Sequence, residues 1–173
     1  MKSLYGYITE EGSICLPVII VTWSELQDWD DRLNHTNKED VGVYCAIGMD
    51  NYDNRRVYIG KATSTDNFAH RMSVHHTNGL KKKDEFLQKI TRNRRIMYGT
   101  LSSPTIDLED EMVLNSYITD IEARLIQYFN NQAYYKIANG NTYDDYKYSN
   151  TFIINNNCGN KLMPKTLKVE NKE

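Results

Sequence analysis

Two short apolar stretches joined by a strongly turn-forming segment constrain the fold of this chain more than any other feature. Residues 41–47 are apolar and partly β-branched, and residues 55–59 alternate charged with apolar side chains. The segment between them includes Asp-Asn-Tyr-Asp-Asn at residues 50–54, and Asp and Asn favour tight turns. The pattern therefore predicts a β-hairpin.

Each predicted strand of this hairpin carries one tyrosine flanked by apolar residues. These are Tyr44 and Tyr58. Because successive side chains in a strand point to opposite faces, both phenols project from one face of the sheet if the strands pair in register. Gly60, which follows the second strand, allows another backbone or a ligand to approach closely.

The rest of the chain alternates between strand and helix patterns. Strand patterns span residues 5–9, 14–22, 94–101 and 151–154, and helix patterns span residues 25–33, 67–77, 82–92 and 110–130. The order predicts an α+β protein with a small three-stranded, mainly antiparallel sheet flanked by helices. One compact domain is expected, divided into an N-terminal hairpin and helix extension (1–40), a core (41–141) and a C-terminal extension (142–173). Its last ten residues are predicted to be a loose tail.

The length and composition are those of one ordinary globular domain. The 173 residues are 40% hydrophobic and 25% charged. No apolar run approaches the roughly 20 residues that a membrane helix needs, and the first residues lack a secretion signal, so a cytoplasmic protein is expected. The three cysteines are far apart, which argues against a disulfide framework or a zinc site.

Positive charge is concentrated in one part of the chain, although the formal net charge is only −2. Residues 55–97 contain eleven Lys and Arg against three Asp and Glu, whereas residues 98–150 contain three against eight. A concentrated basic segment is expected where a protein binds a polyanion such as nucleic acid. The alternative is a solvated helix face, which is the commoner meaning of a run of charges.

Two short signatures in the predicted hairpin, Gly42-Val43-Tyr44 and Tyr58-Ile59-Gly60, resemble those of the GIY-YIG nuclease family. The resemblance extends to Arg71 on the next helix, to His75 one turn later, and to Glu122 on the long helix. A valine in place of the central isoleucine and a longer hairpin loop depart from the family pattern. The organisation is closest to that of the family's small type II restriction endonucleases.

The resemblance covers roughly residues 41–141 and implies a GIY-YIG-like catalytic core that hydrolyses phosphodiester bonds with a metal ion. In the family the first-signature tyrosine is the base that activates water, which points to Tyr44 here, with His75 as the alternative. Tyr58 is interpreted as positioning the water or the phosphate, and Lys61 as stabilising charge or lowering a tyrosine pKa. The family also has an anchoring asparagine beyond the glutamate, and Asn139 is favoured among four candidates.

The chemistry of the residue types agrees with these roles. Arg71 and His75 are four residues apart and therefore share a helix face, and a guanidinium can bind two phosphate oxygens at once. Glu122 has apolar neighbours one turn away, and a carboxylate there is costly unless it is paired or metal-bound. One Mg²⁺ or Mn²⁺ ion per active site, held by Glu122, would remove that cost. The alternatives are an ordinary surface arginine and a salt bridge from Glu122 to a nearby cation.

DNA is the predicted partner, and sequence-specific cleavage of the restriction type is the predicted activity. A homodimer is expected if both strands are cut, with no small-molecule cofactor and no membrane. Repair, mobile-element or RNA cleavage is an alternative role, and a catalytically inactive nucleic-acid-binding module is another. Six basic residues are predicted to hold phosphates flanking the cut: Lys81, Lys82, Lys83, Arg92, Arg94 and Arg95.

Overall fold

A computed structural model describes residues 7–8, 14–32, 40–81 and 84–171 of the chain. The strands are β1 (Tyr7–Ile8), β2 (Ile14–Cys15), β3 (Val18–Trp23), β4 (Gln27–Asp28), β5 (Gly42–Met49), β6 (Arg55–Ala62), β7 (Arg92–Ser102), β8 (Lys136–Ile137), β9 (Phe152–Asn157) and β10 (Thr166–Val169). The helices are α1 (Phe68–Leu80), α2 (Glu85–Lys89) and α3 (Glu111–Asn130), with one 3₁₀ turn at Trp29–Asp31. β1 and β2 form a small hairpin of their own.

The prediction of a small three-stranded sheet is wrong, because the described residues form an eight-stranded mixed sheet that curls into a half-barrel. Its order is β10-β9-β3-β7-β5-β6-β8, with β4 also paired to β7. The three predicted core strands are present at its centre as the antiparallel set β6-β5-β7. The sheet is mixed because β3 pairs parallel to β9 and β6 pairs parallel to β8.

Strand β7 explains why the sheet continues past three strands. It is 11 residues long, and its second edge pairs with β3 and β4. The apolar side chains Ile19, Val21 and Trp23 of β3 then reach the core, where they are at most 6% exposed. A three-stranded sheet would leave that edge of β7 open, and exposed strand edges favour aggregation. The segments before residue 41 and after residue 141 therefore supply strands to the same sheet as the predicted core.

Three other predicted elements differ from the structure. Residues 25–33 were expected to be helical, but Gln27 pairs with Ile96 of β7 and the 3₁₀ turn follows, so long-range strand pairing overrides the helical stripe. The helix predicted at 82–92 is the shorter α2, whose last carbonyls accept hydrogen bonds from the Arg94 side chain. The predicted loose tail contains β10, which pairs antiparallel with β9.

The helices lie on both faces of the sheet and carry polar caps at their first turns. Asn67 caps α1 by accepting from the His70 N–H, and Asp110 caps α3 by accepting from two backbone N–H groups. On one face α3 packs against Val43, Cys45, Val57 and Ile59, among others. On the other face, residues of α1 and α2 pack around Tyr44 and Ala46, among others. None of the described helices has both the length and the apolar character that crossing a membrane requires.

Candidate active site: a cleft at the edge of strand β6

The register of the β5–β6 hairpin puts the two tyrosines on one face. Tyr44 lies opposite Gly60 and Tyr58 lies opposite Ala46, so the phenols are diagonal neighbours with ring centroids 6.1 Å apart. A Cβ atom added to Gly60 would lie 2.2 Å from Cζ of Tyr44, which is too close for any side chain. The glycine of the second signature therefore makes room for the phenol of the first.

A cleft forms where the sheet ends along β6. Strand β8 pairs only with Arg56 and Val57 of β6, and beyond it the side chain of Asn139 takes the place of a strand. Its Oδ1 accepts from the Ile59 N–H at 3.0 Å and its Nδ2 donates to the Ile59 carbonyl at 2.6 Å. Past this point, side chains from both faces of the sheet meet in a cleft of about 320 Å³. It is lined by Tyr58, His75, Asp84, Phe86, Glu122, Asn139, Gly140, Asn141 and Tyr143.

Three buried side chains form a hydrogen-bonded row beside this cleft. The Tyr44 hydroxyl lies 2.7 Å from Nε2 of His75, and Nδ1 of His75 lies 2.6 Å from Oδ2 of Asp84. Tyr44 is 0%, His75 5% and Asp84 7% exposed. Asp84 is held because it also caps α2, its Oδ1 accepting from the Leu87 N–H at 3.0 Å. The row joins residues of β5, α1 and the start of α2.

Arg71 lies one turn before His75 on α1, and its charge acts on both phenols. Burial raises the pKa of Tyr44 well above its usual value, a nearby charged Tyr58 adds to this, and the Arg71 guanidinium opposes it. Burial likewise raises the pKa of Tyr58, against hydrogen bonding to Tyr44 and the charge of Arg71. Nη1 of Arg71 lies 3.2 Å from Asp66. Its Nε is buried without a hydrogen-bond partner in the described part of the chain.

Glu122 reaches the same cleft from the opposite face of the sheet. Its Oε2 lies 3.5 Å from Nζ of Lys61, which also donates to the Thr119 hydroxyl at 3.1 Å. Burial raises the pKa of Glu122, and the charges of Lys61 and Arg71 oppose that rise. The ion pair that the sequence left as an alternative to a metal is therefore present. Among the described residues no three His, Cys, Asp or Glu side chains cluster so as to hold a metal.

The three arginines predicted to grip phosphates are all engaged within the protein. Arg92 is paired with Asp53 in the hairpin turn and donates to a backbone carbonyl. Arg94 donates to two carbonyls at the end of α2, and Arg95 donates to the carbonyl of Leu26. None of the three lines the cleft. The donors expected to face DNA are thus partly used to hold loops against the sheet.

The lysines of the predicted basic run follow α1. Lys81 is exposed and forms the C-cap of that helix. Lys82 and Lys83 lie outside the described residues. The segment from α1 to α2 nevertheless returns the chain to the cleft, because Asp84 comes directly after the lysine run.

Asp84 and Tyr143 also line the cleft and are not among the catalytic, metal-binding or phosphate-binding residues predicted from the sequence. Asp84 carried a signal, because an Asp followed by an apolar helix is a typical N-cap, but the lysine run hid the start of α2. Tyr143 lines the cleft with a φ of 59°, which is unusual for a bulky residue. Its N–H donates to the Asn141 side chain at 2.8 Å. Neither its backbone conformation nor its position follows from a local pattern.

No family model, no curated protein and no solved structure gives a significant match to this chain. The class of protein is therefore inferred from the arrangement of the cleft. That arrangement combines one guanidinium, one buried carboxylate beside an ammonium, and two phenols next to a histidine.

Proposed function

We propose that this protein is a metal-dependent endonuclease that hydrolyses phosphodiester bonds in DNA. The observation that carries the proposal is that Tyr58 and Glu122 line one cleft, with Tyr44 packed behind Tyr58 and Arg71 close enough to act electrostatically on both phenols. The charges of Arg71 and Glu122 act on the pKa of each phenol in opposite directions.

The Glu122 carboxylate fits a hydrated divalent ion such as Mg²⁺ or Mn²⁺. It is 8% exposed and yet borders an open cleft, and Mg²⁺ is often bound through one carboxylate with water and phosphate oxygens as further ligands. When bound, the ion supplies positive charge to the phosphate and to the leaving oxygen. Lys61 already offsets part of the Glu122 charge and adds a second cation beside the substrate.

Arg71 is suited to bind the phosphate that is cut. Its guanidinium is only partly exposed and pairs with Asp66 through Nη1, and a planar guanidinium binds two phosphate oxygens with matched geometry. Nη1 of Arg71 donates to Oδ2 of Asp66 at 3.2 Å, and this bond limits the rotation of the arginine side chain. Arg71 would stabilise the charge that develops on the phosphate in the transition state.

The row of Tyr44 and His75 provides a route for the proton of the attacking water. We propose that Tyr44 takes this proton as its own hydroxyl proton passes to Nε2 of His75, 2.7 Å away. Tyr58 borders the cleft, and its ring lies 6.1 Å from that of Tyr44, so it would orient the water. The two bases that the sequence offered as alternatives then act in series. Asn139 would keep this edge of β6 in place through its two bonds to Ile59.

Sequence-specific cutting of DNA, by a homodimer where both strands are cut, is the proposed form of the activity. A supercoiled plasmid with Mg²⁺ or Mn²⁺ tests it, because a site-specific enzyme yields discrete bands and an indiscriminate one a smear. Arg71→Ala and Glu122→Gln are expected to lose cleavage by about 10²- to 10³-fold. Arg124→Ala is the matched control, since this arginine of α3 donates to the Lys168 carbonyl and does not line the cleft.

Two outcomes would contradict the proposal. If the wild-type chain binds DNA but leaves plasmid and RNA uncut with either metal, it is a binding module. If Arg71→Ala and Glu122→Gln cut as fast as Arg124→Ala, the cleft is not the active site. If the protein cuts RNA and not DNA, the cleft remains the proposed active site and its substrate is RNA.

A further inference from the structure

Asp84 makes two bonds that fix its carboxylate in one orientation. Oδ1 accepts from the Leu87 N–H at 3.0 Å as the N-cap of α2, and Oδ2 lies 2.6 Å from Nδ1 of His75. Both side chains are about nine-tenths buried or more. Because the two oxygens have different partners, the residue at position 84 cannot turn without losing the helix cap.

We infer that Asp84 is a positioning residue that sets the tautomer of His75, so that Nδ1 carries the hydrogen and Nε2 is free to accept the proton of Tyr44. The inference rests on the proposed function for its effect on cleavage. The tautomer itself is a property of the free protein and can be measured whether or not the chain cuts DNA.

With a neutral imidazole, the row has one consistent assignment of hydrogens. Burial acts to raise the pKa of Asp84, but hydrogen bonds from His75 and from the Leu87 N–H outweigh it and hold the pKa below its usual value. An ionised carboxylate can only accept, so Nδ1 of His75 must donate to it. The Nε2 atom of a neutral imidazole then has a lone pair, and the Tyr44 hydroxyl donates to it.

The same assignment accounts for the proton in the proposed step. One proton moves from Oη of Tyr44 to Nε2 of His75, while the bond from Nδ1 to Asp84 is kept. The imidazole becomes an imidazolium, and the negative carboxylate 2.6 Å away stabilises that charge. Asp84 itself takes up no proton.

The surroundings of His75 keep its ring from turning over. Phe86 contacts it edge-on with a centroid distance of 5.4 Å, and Tyr58 does so at 5.6 Å. Among the described residues, the titratable groups that contact it are Tyr44 from β5, Tyr58 from β6 and Asp84 from the start of α2. A ring packed in this way responds to a change at Asp84 by moving a hydrogen rather than by rotating.

The substitution Asp84→Asn tests the inference because it should invert the tautomer while keeping the helix cap. The Leu87 N–H needs an acceptor, so the amide oxygen stays there and the amide NH₂ faces Nδ1 of His75. That nitrogen must then accept, which places the hydrogen on Nε2 and turns it toward Tyr44 as a donor. Asp110→Asn is the matched control, because Asp110 caps α3 with the same chemistry and does not line the cleft.

Nitrogen-15 NMR of the imidazole, assigned with a His75→Gln variant, reports which nitrogen carries the hydrogen. We expect the hydrogen on Nδ1 in the wild type and in Asp110→Asn, and on Nε2 in Asp84→Asn. A wild-type protein with the hydrogen on Nε2, or an Asp84→Asn variant with an unchanged tautomer, would overturn the inference even if the chain proves to be a nuclease.

Cleavage kinetics provide the second readout. Asp84→Asn should lower kcat by about 10²- to 10⁴-fold, as loss of the correct histidine tautomer does in other hydrolases, with KM close to the wild-type value. A role limited to capping α2 predicts a kcat like that of Asp110→Asn, and that result overturns the inference. If the wild type cuts nothing, the proposed function fails, and the NMR result alone then decides whether Asp84 sets the tautomer.

Discussion

Two carboxylates on α3, only two residues apart, have opposite surroundings. Asp120 is 0% exposed and accepts four hydrogen bonds from neutral donors of the following segment: the Tyr146 hydroxyl, the N–H groups of Ser149 and Asn150, and the Asn150 side chain. Glu122 is 8% exposed, borders the cleft and is paired with the Lys61 ammonium. Both acids are buried on the same helix, and only one of them can reach a ligand.

The difference shows that burial alone does not mark a functional carboxylate. Neutral donors that surround Asp120 satisfy its oxygens and tie the segment at residues 146–150 to α3, which is a structural role. The partner of Glu122 is a single cation 3.5 Å away, and the carboxylate itself lines a cleft. We therefore expect substitutions of Glu122 to affect activity and substitutions of Asp120 to affect stability.

The largest effect expected for the two acids of α3 is on catalysis by Glu122. Glu122→Gln should lower plasmid cleavage by about 10²- to 10³-fold, because the neutral amide is a poor ligand for a divalent ion. Its midpoint of thermal unfolding should stay close to that of the wild type, since the replacement has the same shape. Asp120→Asn is the matched control and should keep its cleavage rate. Equal losses of activity in both variants would show that the two carboxylates do not differ in function.

The next effect is on stability and concerns Asp120. Asp120→Ala leaves buried donors of Tyr146 and Asn150 without an acceptor, so the free energy of unfolding should fall by about 3 kcal/mol. Urea unfolding measures this loss, with Asp144→Ala as the control because Asp144 lies exposed in the same part of the chain. A loss below about 1 kcal/mol would mean that these hydrogen bonds do not anchor the segment.

A substitution of Gly60, next to the cleft, is expected to affect both stability and activity. Gly60→Ala places a Cβ within 2.3 Å of the Tyr44 hydroxyl oxygen, so the phenol must shift, at a cost of about 2 kcal/mol in unfolding free energy. The shift should also disturb the bond from Tyr44 to His75 and lower kcat. Gly159→Ala is the control, because no described atom other than those of its chain neighbours lies within 4 Å of the added methyl. Full activity in Gly60→Ala would show that catalysis does not depend on the hydrogen bond between Tyr44 and His75.

The parts of this comparison that could be predicted from sequence are the local ones. The period of two along β5 and β6 predicts that Tyr44 and Tyr58 share a face, and the spacing of four along α1 predicts the same for Arg71 and His75. The periodic apolar pattern of α3 predicts that helix and makes Glu122 stand out on it. Each of these features is encoded by neighbours in sequence, whatever lies far away in the chain.

The parts that could not be predicted depend on partners distant in sequence. No local pattern shows that β3 pairs with β9, more than 130 residues later, and this pairing is one of those that extend the three-stranded set to eight strands. The role of Asp120 could not be predicted for the same reason, because its hydrogen-bond donors lie 26 to 30 residues away in a segment without periodicity. Asp84 was missed because its role depends on His75, which reaches it only once α1 and α2 have packed together.

The smallest expected effect is a pH dependence that distinguishes Asp84 from its surroundings. Burial acts to raise the pKa of Asp84, but the hydrogen bonds from His75 and from the Leu87 N–H lower it by more than burial raises it. The pKa of Asp84 in the folded protein therefore lies below that in the unfolded chain. The ionised carboxylate therefore stabilises the fold at pH values above the unfolded pKa of about 3.9, and this contribution is lost as the pH falls below that value. Urea unfolding of the wild type and of Asp84→Asn, compared at pH about 7 and about 3, measures the change.

The advantage of the wild type in free energy of unfolding should shrink in acid, whereas the difference between the wild type and Asp144→Ala should change less. An advantage that grows as the pH falls would mean that the folded pKa is raised, and Nδ1 of His75 would then face a carboxylic acid rather than a carboxylate.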